Sequence, residues 1–391
     1  MKRIYLLDTH ESCMTGFSTY KKELLNCLGE YSHISLYQII ENYPTGEFMI
    51  QEKDGIVRFY FPKINSYRYK YFIIGSILKQ YIPNACDVIF MLNYSPAYRV
   101  LAMLKDFFPA SKIIYIIHDF IWANFVLGDV NVFKDIIQKE MQHNYSDIIY
   151  KAYEDNLQAF SLSDKIVCLS KDTYDLLLSF YKLPLSKISL IYNGLRDEAE
   201  TGISHIRNEG TRKIILSVGR VNKQKGMLDL LCCFQKVVNR FPDCQLVIAG
   251  HIQQKTMNLL NEQTRKNIHF LGQIGCEELY QWYRTADIGI IPSYYEQCSY
   301  VGIEMKMFGL PIIASDGFGV RSMFNQNNAL IAYIDRENGR FQQNLSDCII
   351  KMLTFPKKVL SLYAKKSRDS YLACYHIIGM QRKYLNLIEN I

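Results

Sequence analysis

Glu296 and Glu304 are separated by seven residues, and Arg220 and Lys225 lie about seventy residues upstream. An arginine fork and a lysine point charge both suit phosphate oxygens through charge-assisted hydrogen bonds. Carboxylates accept hydrogen bonds from sugar or ribose hydroxyls. Two cations with two carboxylates therefore suit a molecule carrying a diphosphate at one end and hydroxyls at the other. The cations would neutralise a diphosphate leaving group, the kind of charge stabilisation that dominates many catalysed reactions. Each half also has a plain alternative: a solvated glutamate pair on a helix, and a solvated basic loop.

The flanking residues say how these groups are held. The apolar run 287–291 reads as a buried parallel strand stopped by Pro292 and Ser293. A loop follows, and from Ser299 the apolar positions Val301, Ile303, Met305 and Phe308 read as a helix ended by Gly309-Leu310-Pro311. Glu296 then sits in the loop and Glu304 inside the helix. The amides of Ser299, Tyr300 and Val301 would be unpaired at a positive helix end, a resting place for a diphosphate. Upstream, Ile214-Ile215-Leu216 reads as a strand closed by Gly219, and Gly226 opens the helix through Leu228, Leu230 and Leu231. Arg220 and Lys225 flank that turn.

Strand and helix signals alternate in both halves, as doubly wound α/β sheets require. The first half reads as strands at 3–8, 34–40, 57–61, 87–92, 112–118, 165–169 and 188–192, and the second at 213–218, 245–249, 267–271, 287–291 and 311–314. The polar, aperiodic stretch 196–212 is the expected linker. The tail from 360 to 391 reads as helical. The domains expected are 1–195, a linker at 196–212, 213–370, and a C-terminal helix at 371–391.

Taken together these residues resemble family 4 of the glycosyltransferases, in the group 1 class of the GT-B fold. The shared features are Gly219-Arg220, Lys225-Gly226 and the glutamates at 296 and 304, together with Asn193-Gly194, Ser170, His118 at a strand end and Val247-Ile248-Ala249-Gly250. The resemblance runs from about residue 4 to about residue 315, and the phrase Glu296-Gln297-Cys298-Ser299-Tyr300 is similar to a bacterial subgroup. It implies two Rossmann-like domains facing each other across a cleft, with the last helix crossing back to the first domain. The second domain would hold a UDP- or GDP-sugar through Arg220, Lys225, Glu296 and Glu304, with Gly219, Ser299, Tyr300 and Val301 lining the diphosphate. The first would supply the acceptor surface. There Gly16, between the first strand and a helix, lets the backbone approach a phosphate or sugar, and His118 emerges at the crevice. A structural histidine bonded to nearby backbone is the plain reading of His118.

The resemblance further implies hexose transfer with retention at the anomeric carbon, to a glycan, a lipid-linked acceptor or a peptide. Attack would come on the same face, with the leaving diphosphate oxygen taking the acceptor proton and Glu296 orienting donor-sugar hydroxyls. No paired nucleophile of the retaining glycosidase kind is evident. No metal and no cofactor beyond the donor sugar is expected, since the cations replace a metal and no Asp-x-Asp motif occurs. Two other readings share this architecture: a non-catalytic partner subunit of another transferase, and a sugar-nucleotide epimerase.

The chain of 391 residues, 49% hydrophobic and 21% charged, is that of a globular protein of two or three domains. Asp8 and His10 cut the first apolar run too short for a signal peptide, and no stretch reaches the eighteen or so apolar residues needed to cross a bilayer. A cytoplasmic protein, at most peripheral to the inner face of the cell membrane, is expected. The net charge of +7 and the run Tyr67-Arg68-Tyr69-Lys70-Tyr71-Phe72 suit contact with an anionic membrane face; single-stranded nucleic acid suits them too, as does a plain strand-to-helix connection, but no nucleic-acid partner is expected. The eleven cysteines show no metal-ligand spacing and read as reduced, buried small hydrophobes.

Overall fold

The structure, a computed structural model, describes residues 1–9, 16–66, 69–199, 212–251 and 260–391. The chain divides into two compact units, Met1–Tyr192 with Ile378–Ile391, and Asn193–Ile377. Most of the expected linker, 200–211, lies outside the described residues, as do Thr15, Tyr67 and Arg68.

The first unit is built on an eight-stranded sheet among the described residues. Its strands are β1 (Lys2–Thr9), β2 (Ile34–Tyr43), β3 (Met49–Lys53), β4 (Ile56–Pro62), β5 (Val88–Leu92), β6 (Lys112–Ile117), β7 (Lys165–Cys168) and β8 (Ile188–Leu190), in the order β3-β4-β2-β1-β5-β6-β7-β8. All pair in parallel except β3 with β4. The central strands are apolar and buried through their middles, as strands covered on both faces must be, and every residue of β5 is buried.

β3 is a correction to the strand reading. It is a polar, mostly exposed edge strand, so it carries no apolar run. Its hairpin to β4 turns on Asp54 and Gly55, both with positive φ, 54° and 70°. That Asp-Gly pair is the local signal that betrays it.

The second unit carries a six-stranded parallel sheet of β9 (Ile214–Val218), β10 (Gln245–Ala249), β11 (Ile268–Gly272), β12 (Ile288–Ile291), β13 (Ile312–Ser315) and β14 (Leu330–Ala332), ordered β11-β10-β9-β12-β13-β14. The three-residue β14 was missed in the sequence because it is too short to show a period.

In both sheets the chain winds outward one way and then returns to wind the other way. The reversal falls between β1 and β5 in the first sheet and between β9 and β12 in the second. In open α/β sheets, ligands bind beyond the carboxyl ends of the strands at such a reversal.

The helical tail is not continuous. Helix Lys357–Cys374 ends at Tyr375 and His376, and helix Ile377–Glu389 follows. The break comes from pairing: Leu195 N–H donates to Tyr375 O and Ile377 N–H to Leu195 O, a bridge that also ties residue 195 into the second unit. The unit boundaries accordingly fall at 192/193 and 377/378. Residues 378–391 pack in the first unit, where Tyr384 touches Tyr20 hydroxyl to hydroxyl and Gln381 donates to Glu30 Oε2 at 2.7 Å. Among the described residues no helix is long and apolar enough to cross a membrane.

Candidate active site

The second unit's reversal point gathers the residues of greatest chemical interest. β9 ends at Val218, and Gly219 follows with φ 137°. Its amide donates to Ala249 O at 2.9 Å, and a Cβ on the neighbouring Gly250 would stand 2.0 Å from Gly219 O. Two backbones thus meet where a side chain cannot fit. Arg220 stands exposed at the turn. The Lys225 amide is fixed by Asn222 Oδ1 at 2.9 Å, and Gly226, at φ 64°, caps helix Met227–Arg240. A Cβ at Gly226 would lie 1.9 Å from Pro292 O, so this turn is pressed against the end of β12.

That close approach brings the two distant motifs together. Lys225 Nζ donates to Glu296 Oε1 at 2.6 Å, and Ser293 Oγ donates to the same oxygen at 3.0 Å. Both partners of the ion pair are partly buried, with side chains 26% and 12% exposed. A lysine has three donors, so this contact leaves capacity for phosphate oxygens. The backbone of Glu296 is held by its amide donating to Phe318 O and by Gly319, whose missing Cβ would come within 1.8 Å of Glu296 O.

Helix Tyr300–Met307 begins close by in the chain. Ser299 is its N-cap, its hydroxyl accepting from the Gly302 amide at 3.3 Å. Ser299, Tyr300 and Val301 therefore form the helix start expected of them. Glu304 lies further along, half-buried, with Oε2 accepting from Tyr283 Oη at 2.7 Å. Burial raises its carboxyl to about 7, opposed by the Tyr283 hydrogen bond. Tyr283 is itself fixed by stacking on Phe308, ring centres 5.6 Å apart.

Three residues near this site escaped the sequence reading of roles. Ser293, read only as a strand stop, is a second donor to Glu296. Asn193, noted only as half of an asparagine-glycine landmark, is buried and donates to Cys298 O at 2.8 Å, bracing the loop between the two glutamates. Lys306 is fully buried two residues beyond Glu304, its ammonium donating to Met323 O at 2.8 Å and Ser370 Oγ at 2.7 Å and lying over the Phe324 and Tyr375 rings. Burial lowers it to about 8. A charge inside an otherwise apolar helix face was its only sequence signal.

His118 and Gly16 belong to the first unit. Gly16 is exposed at the head of helix Gly16–Gly29, which follows β1. His118 is the first residue beyond β6, which ends one residue earlier than the strand predicted over 112–118. Its ring lies edge-on to Phe17 and Tyr20, centres 5.1 and 4.3 Å away, and its Nε2 has no hydrogen-bond partner among the described residues. Burial lowers it to about 3, so the ring is neutral. Asn93, the first residue after β5, is fully buried, with neither amide atom partnered among the described residues. The sequence reading passed over it because an asparagine after a strand ordinarily makes a turn.

Residues 200–365 match the family described as glycosyl transferases group 1. That span contains Arg220, Lys225, Ser293, Glu296, Ser299 and Glu304. An uncharacterized glycosyltransferase of Methanocaldococcus jannaschii is 30% identical over 171 residues, covering 40% of this chain and 44% of the relative. The chain thus aligns with less than half the length of that curated relative. Sucrose-phosphate synthase from Thermosynechococcus elongatus superposes with a TM-score of 0.77 at 17% identity, over 100% of this chain and 99% of the other. An Anabaena protein solved in complex with UDP and glucose gives 0.70 at 11% identity, over all of both chains. These structural likenesses establish the GT-B fold, with its two α/β units on parallel sheets.

Proposed function

We propose that this protein is a retaining glycosyltransferase. It moves a hexose from a UDP- or GDP-sugar to a glycan, lipid-linked or peptide acceptor, without a metal. The observation that carries the reading is the meeting of Lys225 with Glu296 and Ser293 at the sheet reversal, inside the stretch that matches the group 1 transferases. The reversal is where a Rossmann-like sheet takes a nucleotide.

In this reading Arg220, Lys225 and the amides at the head of helix Tyr300–Met307 face the diphosphate and stabilise it as it leaves. Glu296, held at its backbone by Phe318 and at its carboxylate by Lys225 and Ser293, orients the hydroxyls of the donor sugar. Glu304 accepts from the ribose diol. The acceptor hydroxyl attacks the anomeric carbon on the face from which the diphosphate departs, and its proton passes to the departing oxygen. The neutral His118 and the buried amide of Asn93 provide hydrogen-bonding capacity on the first unit for the acceptor. Exposed Tyr69 and Phe72 beside Lys70 give that unit an amphipathic face for peripheral membrane contact, although Lys70 is engaged by Glu41 at 2.5 Å.

The test is a thermal-shift and calorimetric screen against UDP, GDP, ADP and their sugars, with and without EDTA. A selective, EDTA-insensitive stabilisation by one nucleotide is expected, because a ligand that binds only the folded state raises its melting point. NMR of the product should show the donor's anomeric configuration retained. No response to any nucleotide would favour the non-catalytic partner, and nucleotide-sugar isomerisation without an acceptor would favour the epimerase.

A further inference from the structure

A pocket open to solvent lies in the first unit, at the opposite ends of the strands from His118. It has a volume of about 770 Å³ and is lined by Lys105, Asp164, Lys165, Ser186 and Lys187 among others. β6 separates the two ends; at about 3.3 Å per residue its length puts this cavity roughly 20 Å from His118.

The charges in this pocket do not balance. Lys105 Nζ contacts Asp164 Oδ2 at 2.9 Å, and Lys112 reaches the other carboxylate oxygen at 4.0 Å. Asp164 Oδ2 also accepts from the Ile113 amide at 2.8 Å, so this one carboxylate already serves an amide and two ammonium groups. Among the described residues Lys165 and Lys187 have only backbone carbonyls as partners: Lys165 donates to Ser186 O at 2.7 Å and Lys187 to Ser161 O at 3.3 Å.

The ordinary explanation for such lysines is the negative end of a helix. Two helices, Tyr98–Phe107 and Ser146–Leu162, do end here. Each helix end supplies about half a negative charge. Four ammonium groups against one carboxylate and two helix ends leave an excess of about two positive charges. Burial lowers Lys187, Lys105 pushes it the same way, and Asp164 opposes both. Each of Lys165 and Lys187 spends one of three donors on a carbonyl, which leaves N–H groups for a further acceptor.

We infer that this pocket, formed by Lys105, Lys165, Lys187 and Ser186, is a binding site for a phosphate-bearing anion, separate from the donor site. Its volume falls within the range of small-molecule sites, enough for a phosphoryl group with a sugar-sized body attached. The phosphate is either a free phosphate or phosphomonoester or the headgroup of an anionic lipid.

The experiment measures thermal stabilisation by millimolar inorganic phosphate at constant ionic strength, and flotation with phosphatidylcholine vesicles with and without phosphatidic acid. The proteins compared are wild type, the double variant Lys165→Gln/Lys187→Gln, and Ser186→Asp, which places a carboxylate at the exposed rim. Should the double variant fail to fold, Ser186→Asp alone carries the comparison. The expected result is phosphate binding weakened at least tenfold in the pocket variants and kept in Lys225→Ala. Vesicle recruitment lost in the same variants, without an effect of free phosphate, would assign the site to a lipid headgroup. Absence of both responses in the wild type, or responses that survive in the pocket variants, would overturn the inference.

Discussion

Replacing Glu304 by glutamine separates its cost to the fold from its use in binding. Burial lifts this carboxyl from 4.5 to about 7, a difference on the order of 3 kcal/mol between protonation states. The folded value lies above the unfolded one, so the native state holds the proton more tightly. Below about pH 4.5 both states are protonated and there is no penalty. As pH rises towards 7 the unfolded chain ionises first, and above 7 the full cost of a buried charge is present. Tyr283 can still donate to an amide oxygen, so glutamine keeps the one hydrogen bond the structure shows. Glu304→Gln should therefore become more stable relative to wild type by up to about 3 kcal/mol between pH 4.5 and 8, read from urea unfolding across that range. Donor binding should move the other way. A carboxylate accepting from a ribose diol is worth roughly 1.5–3 kcal/mol. Calorimetry with a nucleoside diphosphate sugar should give wild-type affinity rising by roughly 10- to 150-fold in total as pH climbs to about 7 and then levelling, with a weaker, flat profile for the variant. A wild-type profile with no rise, or the same rise in Glu304→Gln, would refute the assignment of Glu304 to the nucleotide.

Three further outcomes follow from the same geometry. Lys225→Ala should leave Glu296 with only Ser293, costing roughly 1.5–3 kcal/mol in transition-state stabilisation; unchanged kcat/KM in a transfer assay would remove Lys225 from the site. Gly319→Ala, at φ 76° with its new carbon 1.8 Å from Glu296 O, must displace the Glu296 loop, and should lower both the urea midpoint and turnover; a variant with wild-type values in both would show that the loop yields freely. Lys306, lowered by burial from 10.5 to about 8, penalises the fold while charged in both states, so wild-type stability relative to Lys306→Met should rise as pH climbs from 8 to 10.5; parallel stability curves for the two proteins over that interval would contradict it.

Much of the architecture is legible in the chain because its causes are local. The strands at 245–249 and 287–291 are short apolar runs between stops, and such runs need no partner to be seen. Ser299 at the helix start and Gly309 beyond its end, at φ 63°, follow from the preferences of one or two residues. The Glu296 loop and the Arg220 turn were visible for the same reason: each lies directly after a strand.

Contacts between distant residues are another matter. That β9 and β12 are neighbours is a choice of sheet order, and only this choice lets Lys225 meet Glu296 across 71 residues of chain. No period or propensity encodes it. The buried Asn93 and Lys306 and the bracing Asn193 depend likewise on which segments come to surround them. The polar edge strand β3 and the break at Tyr375–His376 were hidden because pairing, not apolar pattern, creates them. The sequence by itself determined the elements and the chemistry at their ends. The tertiary structure decided which ends share a crevice and which charges are buried, because burial and pairing are properties of neighbours that the chain order does not supply.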